Sequence, residues 1–314
     1  MNRDRALGWL CLTAGFLLLI FSLYTLHQQL NRYNIHDILN SLSAIDPRAL
    51  ILALGFAIAS YLVISSYDLV AFWHFNHYLD IKRILFTTFL TYAVSNTTGF
   101  TLLIGGGIRY RFYSLWGVPA KTIAKVTAWG NLTFWLGLLT LIGISFTIDP
   151  LRLPNSFKID LILVRCLGFI ALTSIGTYLY FCYRRKRWRI RGRTFAFPNL
   201  ITSAWQITIF SLDWALAAAI LYSLIFADIN KSYWQFFSIY LLAMAASIIS
   251  NVPGGIGVFE TIIIFLLPKS IYVPDILSSL LVYRTIRFLL PLAIALIAIC
   301  IFELKQRLSI SRYK

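Results

Sequence analysis

The decapeptide Asn251-Val252-Pro253-Gly254-Gly255-Ile256-Gly257-Val258-Phe259-Glu260 interrupts an apolar stretch running from about Tyr233 to Pro268. Pro253, Gly254, Gly255 and Gly257 remove helix stability, and the backbone groups they free are tolerable at bilayer depth only where protein or a watery cavity receives them. The pattern predicts an unwound membrane element with a carboxylate, Glu260, on the half-helix that follows. Asp68 after Ser66-Tyr67 and Asp213 after Ser211-Leu212 are further carboxylates inside apolar runs, where an acid is expensive enough to mark a working part or an ion pair. Arg109, Arg111 and Arg284 are the matching cations. Guanidinium grips phosphate oxygens through paired hydrogen bonds, and a turn at Gly105, Gly106 and Gly107 would aim backbone amides at the same anion.

Each of these residues has a second reading. Arg109 and Arg111 at the membrane interface would touch bulk headgroups. Arg284, one turn from Arg287, would make a structural salt bridge to Glu260 or Asp213. Asp68 and Asp213 are either hydrogen-bonded to neighbouring hydroxyls or carry ions or protons. His74, His77 and Asp80 recur at three-residue intervals, as metal ligands on a helix can, but among Trp73, Phe75 and Tyr78 they read as an aromatic belt with polar tips. No metal or cofactor is expected. GxxxxGKS/T, HExxH and GxSxG patterns are absent from the sequence, so nucleotide hydrolysis and the common hydrolase chemistries have no support and an enzyme is not expected.

The elements that must position these groups follow from composition. Of 314 residues 59% are hydrophobic and 13% charged, with mean hydropathy +0.75, well above the roughly 45–50% apolar usage of soluble domains. This is an integral membrane protein. Its net charge of +16 lies mainly between apolar segments, which fits a positive-inside pattern and contact with anionic headgroups, not nucleic acid. Cys11, Cys166, Cys182 and Cys300 sit in or beside apolar runs without CxxC spacing and read as small core residues. Asn96 and Asn131 begin glycosylation-like triplets inside apolar segments, where the modification cannot be made.

Eight apolar segments, each about 18 residues or longer, can cross or enter the bilayer: about 8–26, 49–75, 84–104, 120–147, 161–183, 199–226, 233–268 and 277–302. The first, with no small-residue cleavage site after it, reads as a retained anchor. Between the first two, residues 31–48 read as an interfacial stretch of helical period. Seven basic residues between Arg184 and Arg193, the basic N-terminus, Lys82-Arg83, and the tail with Lys305, Arg307, Arg312 and Lys314 should all face the cytoplasm. Eight complete crossings cannot satisfy all four. If segments three and seven turn back, the one interrupted by Ser95-Asn96-Thr97-Thr98-Gly99 and then Gly105-Gly106-Gly107, the other by Pro253 to Gly257, every basic cluster lands inside and the two hairpins enter from opposite faces. The expected fold is therefore an all-α polytopic membrane protein with about six spanning helices, two opposed re-entrant hairpins and an inverted-repeat core. As one membrane domain it divides into 1–48 (anchor and interfacial segment), 49–147 (first half), 148–198 (connecting helix and basic cytoplasmic loop) and 199–314 (second half).

The stretch Gly105 to Gly117, the motif Val252 to Glu260, and Tyr283-Arg284 with Pro291 resemble the YbhN-type inner-membrane proteins, relatives of the transmembrane flippase region of lysylphosphatidylglycerol synthases such as MprF. The resemblance runs from segment two to segment eight. It implies a lipid-handling domain of the bacterial inner membrane, with MprF relatives moving a modified phospholipid between leaflets. MprF-type proteins continue into more helices and a soluble aminoacyl-transfer domain, and nothing in these residues could serve that purpose. Arg287 stands where relatives tend to carry an aromatic residue. The expected function is transport of an anionic phospholipid or a polyprenyl-phosphate-linked lipid, with Arg109, Arg111 and Arg284 on the phosphate and Asp68, Asp213 and Glu260 in coupling or ion pairs. A non-transporting partner of a lipid-biosynthesis enzyme is the alternative.

Overall fold

A computed structural model describes residues 35–98, 101–150, 161–184, 187–190, 193–226, 232–250, 253–268 and 270–311. The anchor expected at 8–26 lies outside them. Helix α1 (Ile35–Ser43) is the interfacial stretch, with Ile38 buried and Leu39 and Leu42 exposed. Asp46 then caps α2 (Pro47–Ser65), its carboxylate accepting from the Arg48 amide at 2.9 Å with Pro47 in the first turn. After a kink at Ser66 the chain continues as α3 (Tyr67–His74), which carries Asp68 in its first turn. Next come α4 (Ile81–Thr98) and α5 (Thr101–Leu115), packed side by side, and the long α6 (Ala120–Ile148). Helix α7 (Leu161–Tyr183) leads into the basic loop, where β1 (Arg187–Ile190) and β2 (Arg193–Ala196) pair antiparallel, a small addition to the all-helical fold expected.

The second half repeats this order. Helix α8 (Leu200–Ile225), capped by the Asn199 side chain on the Thr202 amide at 2.7 Å, carries Asp213. It is followed by α9 (Tyr233–Ile249), a 3₁₀ turn at Pro253–Gly255, α10 (Val258–Leu266), and α11 (Val273–Arg284), which passes through a π turn (Thr285–Leu289) into α12 (Leu290–Ser311). Among the described residues five helical stretches are long and apolar enough to cross a membrane: 47–74, 120–148, 161–183, 200–225 and 273–306. These are the segments expected to span, whereas segments three and seven are each broken into two shorter helices. In both halves a carboxylate-bearing helix precedes a broken helical pair and a long helix.

Small residues hold α2 against α8. Ala49, Ala53, Ala57 and Ser60 form a buried stripe on α2, which packs along much of α8 and meets Ala217 and Ala218. In lipid, where apolar surface gains little by leaving its surroundings, such residues favour association by letting backbones approach. Trp214, Leu221, Phe237, Tyr240, Phe259 and Tyr283 fill the space between α8, α9, α10 and α11. Large apolar side chains point outward on α2 (Ile51, Ile58, Leu62), α7 (Ile162, Leu163, Ile170) and α12 (Ile294, Ile297, Ile301), the surface a lipid-embedded bundle requires.

Candidate functional site

The break around Pro253 is unwound as the residues demand. Gly254 and Gly255 both have φ +62° and Gly257 has φ +86°, conformations that side-chain-bearing residues rarely adopt. A Cβ on Gly255 would lie 2.6 Å from the Ser247 Cβ, and one on Gly254 would lie 3.1 Å from the Thr97 carbonyl oxygen at the end of α4. The two interrupted segments thus meet. The backbone freed by the break is received by protein: Arg284 Nη1 donates to the Gly254 carbonyl at 3.2 Å, and the Gly257 amide at the N-terminus of α10 donates to Glu260 Oε2 at 2.7 Å.

Four ion pairs form among the described residues. Asp68 takes two parallel bonds from Arg109, from Nε and from Nη2, each 2.8 Å, and a third from the Tyr113 hydroxyl at 2.8 Å. The Arg109 guanidinium also lies over the Tyr92 ring, 5.2 Å from its centroid. Glu260 pairs with Arg284. Arg287, in the π turn, donates from Nη2 to Asp213 Oδ1 and Oδ2 at 3.1 and 3.4 Å and from Nη1 to Ser60 Oγ at 2.7 Å, while the Ser60 hydroxyl donates to Asp213 Oδ1. Arg111 Nη2 bonds Glu303 Oε1 at 2.8 Å. A buried charge with its partner removed is strongly destabilising, so each pair fixes the elements that supply it.

Three of these arginines, without Arg111, border a cavity of about 440 Å³. Arg109, Arg284, Arg287 and Asp213 line it with Gly254 and Gly255, inside a wall of aromatic rings that includes Tyr67, Trp135, Phe210 and Tyr283. Asp68 and Glu260 are not part of the lining; they stand behind their arginines. The surface a ligand meets therefore carries three guanidinium groups and one carboxylate.

The sequence expectations fare unevenly against this geometry. Arg109 and Arg284 come together at the cavity, whereas Arg111 does not: it turns to Glu303 on α12, and Arg287 takes the third place. Arg284 chooses Glu260 over Asp213. Gly105, Gly106 and Gly107 form no turn, because α5 runs through them and spends their amides on its own hydrogen bonds. Gly105 instead permits close packing, since a Cβ there would lie 2.9 Å from Ser95 Oγ on α4. Helix α4 instead ends at Thr98, within the Ser95–Gly99 stretch also expected to interrupt this segment, and α5 begins at Thr101. His74 stacks on Trp129, ring centroids 4.2 Å apart. Ser60, Glu303 and Arg287 were not among the predicted site residues, and only Arg287 offered a signal, a second cation three residues after Arg284 on the same helical face.

Comparison with known proteins gives concordant matches. Residues 9–295 match the family described as the lysylphosphatidylglycerol synthase TM region. An uncharacterized protein of Synechocystis sp. is 38% identical over 298 residues, covering 93% of this chain and 91% of that one. The inner membrane protein YbhN of Escherichia coli is 33% identical over 258 residues, covering 81% and 80%. A phosphatidylglycerol lysyltransferase of Staphylococcus aureus is 24% identical over 300 residues, which is 94% of this chain and 34% of that protein.

Proposed function

The chain belongs to the lysylphosphatidylglycerol synthase TM-region family, and from that premise we propose that it is an inner-membrane lipid transporter, moving an anionic phospholipid or a polyprenyl-phosphate-linked lipid between leaflets. The observation that carries this reading is the cavity surface, with Arg109, Arg284 and Arg287 facing inward and Asp213 as its one carboxylate. An anionic headgroup can accept the guanidinium hydrogens that Asp68, Glu260 and Asp213 leave unused, and aromatic walls suit the glycerol and chain-proximal parts beside it. About 440 Å³ suits a headgroup, leaving acyl chains in the bilayer. A lysyltransferase of phosphatidylglycerol among the relatives points to the same class of lipid.

In this reading the pairs α4–α5 and α9–α10 are re-entrant hairpins entering from opposite faces, and residues 49–147 and 199–314 are inverted halves joined by a connecting helix and a cytoplasmic basic loop. Both termini face the cytoplasm. Inverted halves of this kind place substrate at their interface near the midplane, so that rocking one half against the other exposes the cavity to each side in turn. Reconstitution tests it directly. Purified chain in phosphatidylcholine vesicles containing acyl-labelled phosphatidylglycerol should raise the rate at which label changes leaflet, read by chemical quenching from outside. A rate equal to that of protein-free vesicles would overturn transport.

A further inference from the structure

Building on the lipid-transport reading, we propose that Asp213, Ser60 and Arg287 form a proton-exchange headgroup site, in which a proton taken up by Asp213 releases Arg287 to a lipid phosphate, so that proton and anionic headgroup bind together. Three observations carry it. Asp213 is the carboxylate that lines the cavity, its side chain 11% exposed against 1% for Asp68 and 5% for Glu260. Its ion pair is also looser: one nitrogen of Arg287 is shared between both oxygens at 3.1 and 3.4 Å, whereas Asp68 receives two separate bonds of 2.8 Å from Arg109. Finally, it joins the halves. Ser60 on α2 bonds both Asp213 on α8 and Arg287, and Tyr61 on α2 donates to the Arg287 carbonyl at 3.1 Å. The Arg109–Asp68 and Arg284–Glu260 pairs each stay within one half.

The charge count favours exchange over simple addition. Empty, the site holds one carboxylate and one guanidinium, and their charges cancel. A phosphate monoanion arriving alone would leave one negative charge in excess in a medium of low dielectric. If Asp213 first takes a proton from water, its neutral carboxyl can donate that hydrogen to the phosphate or to Ser60 Oγ, Arg287 keeps its charge, and its Nη2 turns from Asp213 to a phosphate oxygen. The loaded site is then neutral again. On release the proton returns to water and the ion pair re-forms. The other groups facing Asp213 do not compete: Tyr61 on α2, Tyr67 on α3, Tyr92 on α4, Tyr240 on α9 and Tyr283 on α11 are phenols, uncharged in water below about pH 9, and guanidinium stays protonated throughout.

The test uses purified full-length chain in detergent, with phosphatidylglycerol as probe. Affinity should fall as pH rises, by as much as about tenfold per pH unit, the slope of a one-proton linkage. Mixing lipid and protein in weakly buffered solution with an indicator dye should take up one proton per lipid bound. In Asp213→Asn, which keeps the shape without titrating, binding should persist, change less than twofold between pH 5 and 8, and take up no proton. Wild-type binding that ignores pH, or a pH dependence that survives Asp213→Asn, would overturn the proposal; should that variant not fold, the two wild-type measurements decide alone. Binding that follows pH while no lipid crosses vesicles would refute transport and leave the exchange site standing. Crossing without pH-linked binding would do the reverse.

Discussion

A guanidinium buried in a membrane protein is defined by what holds its charge, and the four buried arginines among the described residues divide on that ground. Arg109, Arg284 and Arg287 each have a carboxylate on one side and the cavity on the other, so their remaining hydrogens can serve a ligand. Arg111 is committed to Glu303 at the far side of α5, away from the cavity. Lysine keeps the charge but cannot reproduce paired, coplanar bonds. Arg109→Lys should therefore lower phosphatidylglycerol retained through purification about tenfold, the loss of roughly one charge-assisted hydrogen bond, whereas Arg111→Lys should stay within about twofold. Mass spectrometry of lipid per folded protein, after size-exclusion chromatography, reads the difference. Equal losses at the two positions would mean that surface attraction, not the cavity, holds the lipid.

Glycine acts differently in the two broken segments, and the difference yields a prediction at the level of the element. Gly255 needs its absent Cβ twice over, for a φ of +62° and for the approach of Ser247. Gly107 needs it for neither: it lies inside α5 with nothing within 4 Å of where a Cβ would stand. Gly255→Ala should thus destabilise the protein, by on the order of 1–3 kcal/mol from strain and overlap, and reduce leaflet exchange. Gly107→Ala should be neutral or stabilising by up to about 1 kcal/mol, the helix-propensity gain. Thermal unfolding of the two variants in detergent, followed by tryptophan fluorescence, separates them. A Gly255→Ala protein with wild-type stability and activity would show that the turn is not needed in the form described.

Across the whole molecule, orientation is the quantity that joins charge to architecture. If α4–α5 and α9–α10 turn back within the membrane, reporters inserted at Arg184 and at the C-terminus should read cytoplasmic, while those at Asp149 and Phe226 should read external. Single cysteines at Asn96 and Ile248, which line the cavity near the two breaks, would then be reached by a small aqueous thiol reagent only through the cavity and should be protected by added lipid. An external reading at Arg184 would rule out the two-hairpin arrangement and the inverted relation between the halves. Ser60 on α2 bonds both Asp213 on α8 and Arg287, so α2 cannot move away from them without breaking those bonds.

Composition and the length of apolar runs determined the membrane class, the segments that span and the two that break, because covering about 30 Å of hydrocarbon leaves a chain little choice. Proline and three glycines likewise marked the turn before Glu260 from sequence alone, since side-chain-bearing residues rarely adopt the positive φ such a turn uses. Partner choice was a different matter. Glu260 with Arg284 is local enough to be weighed from spacing, but Asp68 with Arg109, Arg111 with Glu303 and Ser60 with Asp213 and Arg287 join residues 41, 192 and more than 150 positions apart. Three adjacent glycines suggested a turn, yet all three lie within α5, and only Gly105 makes a close contact, with Thr91 and Ser95 on α4. Which arginine faces the cavity was decided in tertiary structure, where the rotation of α5 sends Arg109 inward and Arg111, two residues and about 200° further round the helix, to the opposite side.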